Sequence, residues 1–276
     1  ARAYASSLRS MQRYLGKKDF PFIKLSSRII SDYQGKLLAS GICDNTIGFY
    51  LHNIKALFRK GCREMGLELP CPFRDISIKT EKTLKRSLDP VVIKTLSAIE
   101  LEKDSPLSLA RDIFMFSFYT RGMSFVDIAL LKKRHVFPGE ICYRRHKTDQ
   151  LMRVGINKEI SRILERYKNV PGEYIFPLFP AERDPYAGYR SAYHRIRYSL
   201  GKISRVIGLE FPLRLHAARH SWATIAKVNG ASVHVIGECL GHTSEKTTRI
   251  YLKELDHSAL DAVNNQVADF ILAVDD

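Results

Sequence analysis

The sequence predicts a mainly α-helical protein in two domains, with one small antiparallel sheet in the second. Three observations carry that expectation. Apolar residues recur at helical spacing through residues 1–74, with no strand-like alternation. The one convincing β signal is HVFPGEICYRRHKTDQLMRVGI at 135–156, where two short runs flank polar turns and imply a hairpin or three-stranded sheet. A polar, basic stretch, RDISIKTEKTLKRSLDP, lies between the two helical regions with few anchors for a core.

In the first region, SSRIISDYQGKLLASG opens on a serine cap and sets Ile29, Ile30, Tyr33, Leu37 and Leu38 at helical spacing. CDNTIGFYLHNIKALFRKGCREMG repeats the form, with Ile47, Tyr50, Leu51, Ile54, Leu57 and Phe58 on one face. The opposite face offers His52, Lys55, Arg59, Lys60 and Arg63, and LPCPF at 69–73 is expected to end the helices. These features give a helical domain over 1–76 and a linker over 77–87. The second domain, 88–253, opens on SLDPVVIKTLSAIE, where Ser87 or Asp89 caps a helix with Pro90 in its first turn. A long apolar helix, SLARDIFMFSFYT, follows, then the β segment, then helices from Lys158 onward. Residues 254–276 form a separate tail whose Val263, Val267, Phe270, Ile271 and Val274 make an amphipathic helix, expected to dock on its own domain or on a neighbouring subunit.

Composition narrows the partner. Lys and Arg number 44 against 29 Asp and Glu, for a net charge of +15. A surplus of that size favours a polyanion. It is unevenly spread: residues 1–86 carry 17 bases and 7 acids, whereas 254–276 carry six acids and no base. Both main domains are thus suited to phosphates, and the tail is not. No run approaches the roughly 18 apolar residues of a membrane span, and the first residues show no apolar signal core. The five cysteines, Cys43, Cys62, Cys71, Cys142 and Cys239, are scattered and odd in number, which fits reduced thiols in a cytoplasm. Neither a metal nor a cofactor is expected: His216 and His220 stand four apart without a third ligand at suitable spacing.

The stretch RLHAARHSWAT at 214–224 sets two arginines and two histidines within seven positions, beside apolar residues and the one tryptophan. Cations packed this closely are costly to bury unless an anion meets them. Four other segments carry similar groups: Arg121 in FYTRGMSFVDIALL, Lys147 in YRRHKTDQLMRV, His242 in CLGHTSEKTT and Tyr251 in RIYLKEL. Each alone has a structural explanation, as a cap, a turn residue or a packed ring.

Taken in order, Arg121, Lys147, the H-x-x-R of His216 and Arg219, the LGH turn with His242, and Tyr251 nine residues later resemble the tyrosine recombinase (phage integrase) family. LHAARHSWATIAKVNGASVHVIGECLGHTSEKTTRIYLK resembles its most diagnostic stretch, and RGMSF is similar to a branch found in Bacteroides-type mobile elements. The resemblance implies a helical core-binding domain followed by a mixed α/β catalytic domain. It also implies strand cleavage by Tyr251, which leaves a 3′-phosphotyrosyl bond and a free 5′ hydroxyl. Arg219 and Arg121 would clamp the phosphate, His216 and His242 would donate hydrogen bonds or shuttle protons, and Lys147 would be the general acid. The expected partners are double-stranded DNA at specific attachment sites, three further copies in a homo-tetramer, and an accessory DNA-bending protein, in a bacterial nucleoid. Type IB topoisomerase-like relaxation and a non-catalytic DNA-binding regulator are the competing functions. Further DNA contacts are expected from Lys55, Arg59, Lys60, Arg144, Arg145, Lys246 and Arg249. One departure stands out. Most of the family has its first arginine where this chain has Ser124, three residues after Arg121. On a continuous helix that step is roughly 300° and about 4.5 Å, so Arg121 is expected to reach the same face.

Overall fold

The structure is a computed structural model that describes residues 2–79, 81, 87–179, 185–242, 244 and 247–248. It divides into two units, Ala1–Leu84 and Lys85–Asp276. Among the described residues no helix is long and apolar enough to cross a membrane.

The first unit is three helices, α1 (Arg2–Leu15), α2 (Ser27–Ala39) and α3 (Asp44–Glu64). Ser26 caps α2 by accepting from the Ile29 amide. Ile30, Tyr33, Ile47, Leu51, Ile54 and Phe58 form the core where α1 and α2 meet α3. The Tyr33 hydroxyl donates to Ser10 Oγ at 2.8 Å, so this buried phenol keeps a polar partner. The predicted opposite face of α3 is where expected: His52, Arg59, Lys60 and Arg63 are exposed and Lys55 is half-buried. The prolines do not end the helix. It stops at Glu64, six residues before Pro70, where Gly66 takes φ +63° and the Leu67 amide returns to the Cys62 carbonyl at 2.9 Å.

The second unit is built around α5 (Pro106–Tyr119), which packs against α4 (Pro90–Ala98), α7 (Lys158–Arg166), α8 (Pro185–Val206) and α9 (Leu215–Val228). Partners on several sides explain why its sequence is apolar almost all round: Ile113, Phe114 and Phe116 are fully buried. Asp112, also buried, is compensated by Arg111 at 2.6 Å, Arg166 at 2.7 Å and the Tyr167 hydroxyl at 2.9 Å. Asp89 rather than Ser87 caps α4. A three-stranded antiparallel sheet, β1 (Val136–Phe137), β2 (Glu140–Arg144) and β3 (Leu151–Gly155), fills the segment read as β. Its register pairs Ile141 with Val154 and Tyr143 with Met152, and these four are buried. The short helices α6 (Phe125–Ala129) and α10 (Val233–Leu240) complete the unit, α10 lying against α9 through Ala223, Ile236 and Leu240.

Candidate active site

Arg219 is the centre of the site. On α9 it is flanked by Ala217, Ala218 and Ala223, small residues that let a long guanidinium pass inward, and it is 4% exposed. Its Nη1 donates to the Gly122 carbonyl at 2.8 Å, and its Nη2 donates to the Leu240 carbonyl and to His242 Nε2, the latter at 3.0 Å. Gly122 is there because nothing larger fits: a Cβ at that position would lie 2.6 Å from Arg219 Cγ and 2.8 Å from its Cα. The same residue has φ +74°, a conformation that glycine adopts without strain.

His242 follows the end of α10, its amide returning to the Gly237 carbonyl at 2.9 Å. Its Nδ1 is 3.0 Å from the Thr248 hydroxyl. An arginine can only donate, so Nε2 accepts and the ring proton sits on Nδ1. Burial, then Arg219, Arg145 and Lys147, pull the His242 pKa down to about 4. His216, one turn before Arg219 on α9, reaches solvent, yet enough protein crowds it to cost it hydration. That desolvation, with His220, Arg219 and Lys147 adding to it, brings its pKa down to about 4 as well. Arg219 and Lys147 thus act on both imidazoles, which places four of the predicted groups in one electrostatic neighbourhood. Lys147 rides the exposed β2–β3 turn, held by the Asp149 amide bonding back to the Arg145 carbonyl at 2.8 Å.

Arg121 differs from expectation. Residues 121 and 124 do not share a helix: α5 ends at Tyr119, Arg121 and Gly122 take φ +58° and +74°, and Ser124 sits at the N-cap of α6. The two left-handed residues break the rotation on which the shared-face argument depended. Arg121 instead directs Nη1 to the Arg153 carbonyl at 3.4 Å. Ser124 donates to Asp127 Oδ2 at 2.5 Å, and Asp127 Oδ1 accepts from the His146 amide at 2.8 Å. That buried carboxylate therefore pins the turn that carries Lys147.

Arg145 also reaches the centre, and it acts on Tyr143 together with Arg219 and Arg121. Strand alternation turns Ile141, Tyr143 and Arg145 inward and leaves Arg144 outside, where it pairs with Asp149 at 3.3 Å. Arg145 is 8% exposed and donates to the Gly241 carbonyl, adjacent to the Leu240 carbonyl that holds Arg219. No carboxylate among the described residues forms an ion pair with it. Tyr143 lies beside the same cations, and burial with Asp127 nearby raises its phenol well above the ordinary range. Lys55, Arg59 and Lys60 belong to the other unit. Lys246, Arg249 and Tyr251 lie outside the described residues, as does the tail. Asp127, Gly122 and Thr248 were not singled out from sequence.

The phage integrase family profile matches residues 87–257, and that of the phage integrase SAM-like domain matches 1–74. The chain is 26% identical over 226 residues to the tyrosine recombinase XerC of Shewanella oneidensis, covering 78% of this chain and 70% of that one. It is 36% identical over 94 residues to the XerD of Pseudomonas putida, covering 32% and 30%. Among solved structures, the Tn1549 transposon integrase in complex with transposon right end DNA superposes with a TM-score of 0.69 at 15% identity, covering 97% of this chain and 98% of that one. A lambda integrase tetramer bound to a Holliday junction gives 0.66 at 17% identity, covering 92% and 72%. With one family profile spanning well over half of its length, this chain belongs to the phage integrase family, the tyrosine recombinases that break and rejoin DNA strands.

Proposed function

We propose that the site cleaves one DNA strand at a specific attachment site of a mobile element and reseals it to a new partner, with Tyr251 as nucleophile. The observation that carries this reading is the convergence of Arg219, Arg145 and His242 on the end of α10, with His216 and Lys147 acting on the same space. In the cleavage step the Tyr251 oxygen bonds to phosphorus and the bond from phosphorus to the 5′ oxygen breaks. The neutral imidazole of His216 takes the tyrosine proton, and Lys147 gives a proton to the departing 5′ oxygen. Charge that builds on the non-bridging oxygens meets the guanidinium of Arg219 and that of Arg145. The phosphotyrosyl ester keeps the bond energy, so the reverse of these steps joins a 5′ hydroxyl from a second duplex without a nucleotide cofactor.

The exposed Arg59 and Lys60 of α3 suit backbone phosphates in the first unit, as Arg144 does at the hairpin edge and Lys246 and Arg249 do before the nucleophile. Strand exchange between two duplexes needs four protomers, and the DNA-bound lambda integrase tetramer supports that stoichiometry here. An accessory DNA-bending protein fits the same reaction. The test is a nicked suicide substrate carrying the element's junction sequence, which traps the covalent adduct. The wild-type chain is expected to form it and Tyr251→Phe to form none while binding the same DNA. Adduct formation by Tyr251→Phe would overturn the assignment of the nucleophile.

A further inference from the structure

Thr248, six residues after His242 in the same stretch, is not among the six residues assigned to the chemistry. We infer that Thr248 is a positioning residue whose hydroxyl supports the His242 tautomer that accepts from Arg219, and thereby links the segment leading to Tyr251 with the phosphate clamp. The inference rests on the tyrosine-recombinase reading above and adds a residue to it.

Three observations support it. Thr248 is fully buried, and its Oγ1 is 3.0 Å from His242 Nδ1, while Nε2 of the same ring is 3.0 Å from Arg219 Nη2. If the ring proton moved to Nε2, two donors would face each other across that contact. Arg219 thus keeps the proton on Nδ1, and the Thr248 oxygen is the acceptor that leaves this donor paired. Second, α10 is cut away to receive this hydroxyl: a Cβ on Gly237 would lie 2.8 Å from Thr248 Oγ1, with the rest of the threonine no nearer than 3.9 Å. The Gly237 carbonyl also accepts the His242 amide at 2.9 Å, so one residue of α10 shapes both the seat and the ring. Third, the Thr247 and Thr248 amides turn back on the Ser244 carbonyl at 3.1 and 3.4 Å, which brings the chain inward three positions before Tyr251. Seating this turn and readying His242 are therefore one event.

The alternative role for the threonine is to fill space, and the two roles order the variants oppositely. Thr248→Val keeps the shape and removes the oxygen; Thr248→Ser keeps the oxygen and removes a methyl. Positioning predicts that Thr248→Val slows single-turnover adduct formation by about tenfold at unchanged DNA affinity, and that Thr248→Ser recovers most of the loss. Nitrogen-15 NMR of the full chain without DNA reads the tautomer directly. Wild type and Thr248→Ser should show His242 protonated at Nδ1, and Thr248→Val should show the Nε2-protonated form or exchange between the two. Gly237→Ala, which crowds the hydroxyl without deleting it, should behave as Thr248→Val does. A Thr248→Val chain with the wild-type tautomer and rate overturns the inference, as does Thr248→Ser slower than Thr248→Val. If no adduct forms with any chain, the enzyme reading fails, and the NMR comparison still decides the role of Thr248.

Discussion

Replacing Gly122 by alanine tests whether the packing around Arg219, rather than the guanidinium alone, makes the site. Two costs add. The residue has φ +74°, where a Cβ costs about 1–2 kcal/mol. The new methyl would also sit 2.8 Å from Arg219 Cα, backbone that cannot swing aside, and overpacking of this kind costs about 1–3 kcal/mol. The total is about 2–5 kcal/mol, which for a domain of this size lowers the melting temperature by about 4–20 °C. Gly139 is the control: its φ is +84°, yet nothing lies within 4 Å of its added Cβ. Gly139→Ala therefore bears only the first cost, a fall of about 2–8 °C. Activity should separate the two further. A shift of about 1 Å at a phosphate clamp costs about a hundredfold in rate, so Gly122→Ala should form adduct about a hundredfold more slowly and Gly139→Ala at the wild-type rate. Thermal melts and single-turnover cleavage on the suicide substrate measure both. Equal melting temperatures and equal rates for the two variants would show that the contact between Gly122 and Arg219 has no energetic weight, and would refute the reasoning.

Arg145→Gln should slow cleavage about a hundredfold or more, the usual loss on removing a transition-state donor, whereas Arg121→Ala should cost less than about tenfold; the reverse order in adduct assays would return the first-arginine role to Arg121. His216 and His242 titrate in the folded chain at about 4 against an ordinary 6.5, so their contribution to stability is whole above 6.5 and is lost as pH falls toward 4, because the unfolded chain takes up protons first. Urea melts across that window should show a slope that His216→Asn with His242→Asn makes shallower; an unchanged slope would mean that neither ring is depressed. Asp127→Ala should leave the Ser124 hydroxyl and the His146 amide without their acceptor, destabilise the second unit by about 1–3 kcal/mol and slow cleavage through Lys147; denaturant titration beside adduct assays would expose an error if both stayed at wild-type values.

Much of this arrangement was legible in the sequence because periodicity and caps are local. Ser26 and Asp89, the apolar stripe of α3 and the three strands follow from residues within a turn or two of one another. Arg219, His216 and His242 were legible because their spacing within one stretch survives any detail of packing. What was missed depended on contacts far apart in the chain or on a backbone detail. Arg121 was assigned to a helix face because a helix was extended through TRGMS, where two left-handed residues end it. Arg145 was grouped with Arg144 as a further DNA contact although ICYRR carries the alternation that turns it inward with Ile141 and Tyr143. No local pattern marks Gly122 or Gly237, since each is defined by a side chain from a distant segment.

The consecutive carbonyls of Leu240 and Gly241 already occupy the two guanidinium groups before any DNA arrives. They terminate a helix whose dipole leaves partial negative charge at that end, so they serve as a weak surrogate for phosphate oxygens. Gathering two like charges is thereby accomplished while the polypeptide folds, and on the proposed function an incoming phosphate would displace neutral acceptors. On that reading the repulsion between the two cations is overcome once, during folding, rather than at each turnover.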